Sequence, residues 1–456
     1  MVHRRDFLKS TTAGMAAGSA QGSRPPNILY LHSHDTGRWI EPYGQNVPAP
    51  NYQKLASEGV MFRHAFDAAP TCSPSRASLL TGHCPHNNGM FGLAHRGFVL
   101  NDYKEHVLYT LRKRGYRSAL FGVQHIAKTA SMIGYDEIGQ TANNKVASVA
   151  PAAANFLKNA PKEPFFLDVG FFETHREFAA PGPREDARFC QPPVTVPDTL
   201  ATRQDIAAFK ASARILDEGV GTVLTALESS GLAANTLVIL TTDHGIAFPD
   251  MKCNLTNHGT GVLLILRGPG GFSGGKASDA LVSHLDLYPT ICDLTGAEPP
   301  SWLQGRSLLP LIRGEKDQIN EQVCAEVNYH AAYEPKRSVR TMRYNYIRRF
   351  GGRSRPVLPN CDDGLSKSVW LKSGWQERPV PAEALYDLTF DPQERYNCAS
   401  DPAMRTVLEE MRGRMDRWMT ATKDPILQGP IKAPPGAVAN DPDGISPTDK
   451  PLPVSG

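Results

Sequence analysis

Short apolar runs alternate with helix-spaced apolar positions through the first two-thirds of the chain. Asn27-Ile28-Leu29-Tyr30-Leu31 reads as a buried strand, and the polar stretch 32–37 reads as the loop leaving it. A short helix is predicted over 52–58, a strand over 60–64, a helix over 108–114, and strands over 118–122 and 165–171. Between 204 and 230, Leu216, Val220, Val223, Leu224 and Leu227 recur on one helical face, as in an amphipathic helix laid on a core. Strands follow over 236–241 and 262–267. Such strand–helix alternation predicts an α/β fold, a mostly parallel sheet sandwiched by helices.

Past Gly314 the pattern changes. Strands predicted over 323–327, 338–343 and 344–350 form an antiparallel sheet; Leu385-Tyr386-Asp387-Leu388 and a final helix over 403–420 complete a smaller α+β domain. Residues 428–456 are rich in Pro, Gly and Asp, an extended tail that either wraps the surface or stays disordered. The chain therefore divides into a leader (1–24), a large α/β domain (25–314), a C-terminal subdomain (315–427) and a tail (428–456).

Composition narrows the function classes. Of 456 residues, 41% are hydrophobic and 21% charged, an ordinary globular balance. A net charge of +3, with no basic run interleaved with aromatics, argues against a nucleic-acid partner. The longest apolar stretches are strand-sized, too short for stable membrane insertion. At the N-terminus, His3-Arg4-Arg5-Asp6-Phe7-Leu8-Lys9 precedes a weakly apolar, Ala/Gly-rich stretch, the pattern of a twin-arginine export signal with cleavage near Gly18-Ser19-Ala20. The expected destination is the periplasm or the exterior. The eight cysteines are spread singly, without Cys-x-x-Cys, which argues against a zinc ribbon. In an oxidising compartment Cys361 and Cys398 are available to pair.

The densest chemistry lies in Pro70-Thr71-Cys72-Ser73-Pro74-Ser75-Arg76. It places a sulfur nucleophile, an anion-binding guanidinium and a helix start within five positions of one another. Gly82 is placed to end that helix. Taken alone, the pentapeptide is equally readable as a buried cysteine opening an ordinary helix. Four further polar clusters weigh against that: His34-Asp35, His125, His175 and Asp243-His244 each fall just after a strand. In open α/β sheets, sites form beyond the carboxyl ends of strands.

With these segments the chain resembles the sulfatase family of the alkaline-phosphatase-like superfamily, over nearly all of 27–420. The signature is Cys72-Ser73-Pro74-Ser75-Arg76 followed by Ala77-Ser78-Leu79-Leu80-Thr81-Gly82. It is most similar to the heparan N-sulfatase (sulfamidase)-like branch, through His86-Asn87-Asn88-Gly89-Met90, Thr174-His175-Arg176 and Asp391-Pro392-Gln393-Glu394. The resemblance implies that a formylglycine-generating or anaerobic sulfatase-maturating enzyme oxidises Cys72 to formylglycine, held as its hydrate. One hydroxyl attacks sulfur and releases the alcohol or amine; the second, once deprotonated, expels sulfate. A plain thiol has no second proton to lose.

The resemblance further implies a divalent cation, calcium (Ca2+) in most of the family, ligated by His34, Asp35, Asp243, His244 and the modified Cys72. His34 stands where the family has Asp, which removes a charge and an oxygen. Either calcium binds more weakly or a nitrogen-tolerant metal (manganese, zinc or iron) is accepted, or His34 bonds the sulfate instead of the metal. Arg76 is expected to orient the hydrate, and His125 to stand near the nucleophile. The family's Gly-Lys-x-His reads Gly122-Val123-Gln124-His125, so its sulfate-binding lysine is absent. His175 and Lys252 are expected to flank the leaving group and donate its proton. His86 and His258 are candidate substrate contacts, although a structural role is the preferred reading of each.

These expectations add up to an exported sulfatase acting on O-sulfate esters or N-sulfates of a sulfated saccharide such as a glycosaminoglycan, at a chain end. Two alternatives stay open: a phosphonate or phosphate-ester hydrolase of the same superfamily, and a sulfatase-like binding protein without turnover.

Overall fold

The computed structural model describes residues 24–454, so the expected export signal lies, apart from Arg24, outside the described residues. Eight strands form one sheet: β1 (Asn27–Ser33), β2 (Val60–Phe66), β3 (Arg117–Gly122), β4 (Glu137–Ile138), β5 (Phe165–Gly170), β6 (Thr236–Thr242), β7 (Leu264–Arg267) and β8 (Lys276–Ser283). Their order is β4-β3-β5-β1-β6-β7-β2-β8, with β7 antiparallel to both neighbours and every other pairing parallel. This is the mostly parallel α/β sheet expected from the sequence.

Every residue of β1 is buried, because helices cover both faces of the sheet. Ile28 and Tyr30 join Phe62, Leu120, Phe166 and Ile239 in one core, where Leu79 and Leu80 of the helix Cys72–Thr81 also pack. Leu29 and Leu31 join Ala119, Leu167, Val238 and Leu240 in the other, beneath helices Val146–Lys158 and Leu200–Ser229. Strand alternation thus feeds two cores at once. The register then aligns the strand ends. His32 stands opposite both Gly170 and Thr241, so the loops after β1, β5 and β6 leave the sheet side by side.

A second, four-stranded antiparallel sheet has the order β12-β11-β10-β9, built from β9 (Val323–Tyr329), β10 (Tyr333–Arg340), β11 (Tyr344–Arg349) and β12 (Glu383–Asp387). The helix Arg405–Ala421 buries Leu408, Met411, Met415 and Met419, one stripe at helical spacing, in the adjoining core. β10 begins earlier than the predicted 338. β8 was not predicted at all, because its first half, Lys276 to Asp279, is polar and largely exposed.

The tail wraps the surface. Ile431 N–H donates to Tyr333 Oη at 2.9 Å, Asn440 N–H donates to Ala331 O at 2.7 Å, and Val438–Ala439 pairs with Leu452–Pro453. Cys361 and Cys398 are both free thiols, so the pairing left open above is not formed. Among the described residues, no helix is long and apolar enough to cross a membrane.

Candidate active site

Cys72 opens the helix Cys72–Thr81, which ends on Gly82 in the left-handed region (φ 76°). A helix start supplies free N–H groups and a positive dipole end. Arg76, four residues on, lies on the same helical face. The Cys72 Sγ is buried, 3.3 Å from His244 Nε2 and 4.0 Å from Asp35 Oδ1. Ligand atoms of His34, Asp35, Cys72 and Asp243 all lie within 4.8 Å of one another. His244 Nε2 adds a fifth, 3.4 Å from Asp35 Oδ1 and 3.8 Å from Asp243 Oδ2. Asp35 adopts φ 45° and His125 φ 54°, left-handed conformations that cost a non-glycine residue and concentrate at functional sites. The turn after β6 also needs Gly245: a Cβ there would lie 1.9 Å from the His258 carbonyl oxygen.

Two carboxylates and a buried imidazole converging on one point fit a cation. His34 Nδ1 is only 3.1 Å from Asp243 Oδ2, yet among the described residues neither His34 ring nitrogen has a hydrogen-bond partner of good geometry. Orphaned buried nitrogens are costly unless a ligand takes them up. Burial and then Arg76 push the His34 pKa down, keeping the imidazole neutral with a lone pair to offer. Burial alone would raise Asp35, but Lys252, His175 and His244 hold it well below the usual carboxylate range. Against the same burial, His244, Arg76 and His34 do so for Asp243. This donor set of two hard oxygens and imidazole nitrogens fits calcium or a nitrogen-tolerant divalent ion.

Arg76 donates from Nη2 to Asp243 Oδ2 and to Ser33 O, each at 2.9 Å, and reaches His32 Nδ1 through Nη1. Its hydrogen bonds run to these groups and not to the Cys72 sulfur, so in this state it props a carboxylate of the cluster. Behind it, His32 Nε2 lies 2.8 Å from Asp168 Oδ1, and Tyr135 donates to Asp168 Oδ2. Gly170 leaves the room this needs; a Cβ there would sit 2.5 Å from the His32 ring. Lys252 is buried, with Nζ 2.9 Å from Asp35 Oδ2 and 2.8 Å from Asp362 Oδ2. Burial would lower its pKa, but Asp35 and Asp362 outweigh it and hold the ammonium well above its ordinary value.

His125 and His175 flank His34, with ring centroids 5.7 and 5.4 Å away. His125 Nε2 lies 2.9 Å from His95 Nδ1. Val123 is buried and brings no charge. Two expected substrate contacts do not join this group. His86 Nδ1 lies 3.0 Å from both Glu326 oxygens, in a separate buried cluster with Arg337 and Asp424. His258 Nε2 lies 3.3 Å from Gln393 O and lines another groove with Arg38, Trp39 and Arg63. Conversely, the sequence reading missed His32, Asp168, Asp362 and His95. Asp362 comes from the smaller domain, 110 residues from Lys252, and no short spacing advertises it.

Cys72 at a helix start faces carboxylates and histidines beyond the carboxyl ends of a mostly parallel sheet, where open α/β sheets form their sites. Residues 26–297 match the family described as Sulfatase, and residues 251–354 match the one described as N-sulphoglucosamine sulphohydrolase, C-terminal. The human N-sulphoglucosamine sulphohydrolase is 30% identical, over 90% of this chain and 92% of its own length. A Delta 4,5-hexuronate-2-O-sulfatase of Bacteroides thetaiotaomicron is 27% identical, over 92% of this chain and 94% of its own. A solved structure in complex with D-glucosamine-2-N,6-O-disulfate superposes with a TM-score of 0.71 at 19% identity, covering 89% of this chain and 99% of that one. The chain belongs to the sulfatase family and is an enzyme of that class.

Proposed function

We propose that the protein hydrolyses sulfate esters or N-sulfate groups of sulfated saccharides, with Cys72 acting after conversion to formylglycine and with a divalent cation, calcium in the first instance. The observation that carries this is the convergence of Cys72 with His34, Asp35 and Asp243 inside 4.8 Å. The modified side chain would supply a geminal hydroxyl pair, one to attack sulfur and one to expel sulfate. A bound cation would polarise the sulfate oxygens. Asp35 and Asp243 would hold it, His34 and His244 would offer nitrogens, and Arg76 donates to Asp243, keeping that carboxylate in place.

Lys252 and His175 divide the work at the leaving group. An ammonium held above its ordinary pKa is a poor acid, so Lys252 acts as a fixed positive charge. His175 is then the group that delivers a proton to the departing oxygen or nitrogen. A cavity of about 250 Å³ that meets the Cys72 cluster only at Lys252 runs on to Trp370, Trp375 and Arg378, and is compatible with a saccharide extending away from the centre. The two indoles stand edge to face at 4.9 Å and Arg378 lies 5.8 Å over Trp370, a wall suited to stacking a sugar and pairing its anionic groups. The leader supports export, by the twin-arginine route, to the periplasm or beyond, after a cytoplasmic maturation enzyme has acted.

The test is sulfate release by matured protein from a panel of N-sulfated and O-sulfated glucosamines and uronates. Release from at least one defined saccharide is expected. Inertness towards all of them, with turnover of phosphonate or phosphate diesters, would replace this reading.

A further inference from the structure

The turn Ala94–Arg96 reaches the Cys72 centre from outside the strand-end loops. Ala94 N–H donates to Oγ of Ser73, next to the nucleophile, at 3.0 Å. Arg96 anchors the turn to Ala331 O at 3.2 Å and to the Asn440 side chain. Between them, exposed His95 meets His125 edge to edge, with centroids 5.2 Å apart and planes at 12°, and its Nδ1 lies 2.9 Å from His125 Nε2. A ring nitrogen of His125 lies in turn within 4.8 Å of ligand atoms of Cys72 and His34. A chain of imidazoles therefore runs from solvent to the nucleophile.

A neutral imidazole carries one N–H, and its position is set by the partner of the other nitrogen. The 2.9 Å contact lets either ring donate; in the arrangement where His95 donates from Nδ1, His125 Nε2 accepts and the His125 proton resides on Nδ1. That Nδ1 is buried and has no partner among the described residues. A buried donor without an acceptor persists where a ligand supplies one. His125 is also held at φ 54°, which packing alone does not reward.

We propose that His95 is a positioning residue. It fixes the Nδ1–H tautomer of His125, whose donor then binds an oxygen of the substrate's sulfate where Val123 brings no cation. This rests on the sulfatase reading above.

The experiment uses full-length matured enzyme with H95A and H95N, in steady state on 4-nitrophenyl sulfate and N-sulfoglucosamine. It is paired with ¹⁵N spectra of histidine-labelled protein. For H95A, kcat/KM should fall roughly tenfold, the worth of one misplaced hydrogen bond to a charged group, with an unchanged melting midpoint. The amide N–H of H95N stands near the lost imidazole Nδ1–H and should restore the rate to within about threefold. The His125 signal should read Nδ1–H in wild type and H95N and lose that signature in H95A. Wild-type rates in H95A, or equal impairment in H95N, would overturn the role. If wild type releases no sulfate the sulfatase reading fails instead, and the ring-nitrogen signature alone decides the tautomer.

Discussion

His34 and Asp243 approach to 3.1 Å without a hydrogen bond, a geometry better suited to sharing an ion than to bonding each other. For H34D we therefore expect tighter calcium binding. Chelated H34D should melt below chelated wild type, because a third carboxylate crowds Asp35 and Asp243, and should gain more on calcium addition. Equal calcium-induced shifts in the two proteins would argue against His34 as a ligand. At His175, replacement by Ala should slow release from N-sulfoglucosamine by roughly 10²-fold, the usual worth of a proton donor. It should slow 4-nitrophenyl sulfate far less, since that leaving group departs without help. Equal losses on both substrates would remove His175 from the donor role.

At the scale of elements, the buried strands β1, β5 and β6 were legible as apolar runs because both faces are covered. β8 was hidden because half of it carries a polar, exposed edge. The site was legible where residues follow strands directly, as His34, Asp35, Asp243 and His244 do. Asp362 and His95 were not, since each meets its partner only through tertiary packing, which no periodicity records. At His86 it is the structural role that the packing supports, since β9 brings Glu326 against it. That cluster has a stability consequence. Burial would raise the Glu326 pKa, yet His86 and Arg337 pull it from the ordinary 4.5 to about 2. A depressed carboxylate contributes stability that is present above its unfolded pKa and lost as pH falls through the folded one. E326Q should therefore cost about 3 kcal/mol at neutral pH, as a broken buried charge cluster does. It should also flatten the acid dependence of urea unfolding between pH 4.5 and about 2. An unchanged slope there would show that Glu326 does not carry it.

At the scale of the molecule, the smaller domain and tail help to build the centre. Asp362 reaches Lys252, and the tail clasps the turn that carries His95 through Arg96 and Asn440. The tail also buries Ile431, Ala433, Ala437 and Ala439, worth about 6 kcal/mol at ~0.8 kcal/mol for each of their seven side-chain carbons. A chain ending at Gln428 should therefore unfold at distinctly lower denaturant, as followed by tryptophan fluorescence. An unchanged midpoint would mean that the tail lies on the surface without supporting it.

Cys72 is proposed as the precursor of the nucleophile, and the mass of the peptide carrying it is the decisive measurement. In protein co-produced with a maturation enzyme and purified in its active form, the peptide should contain an aldehyde, with oxygen in place of the thiol sulfur. Active protein whose Cys72 peptide retains an unmodified cysteine throughout would rule that role out.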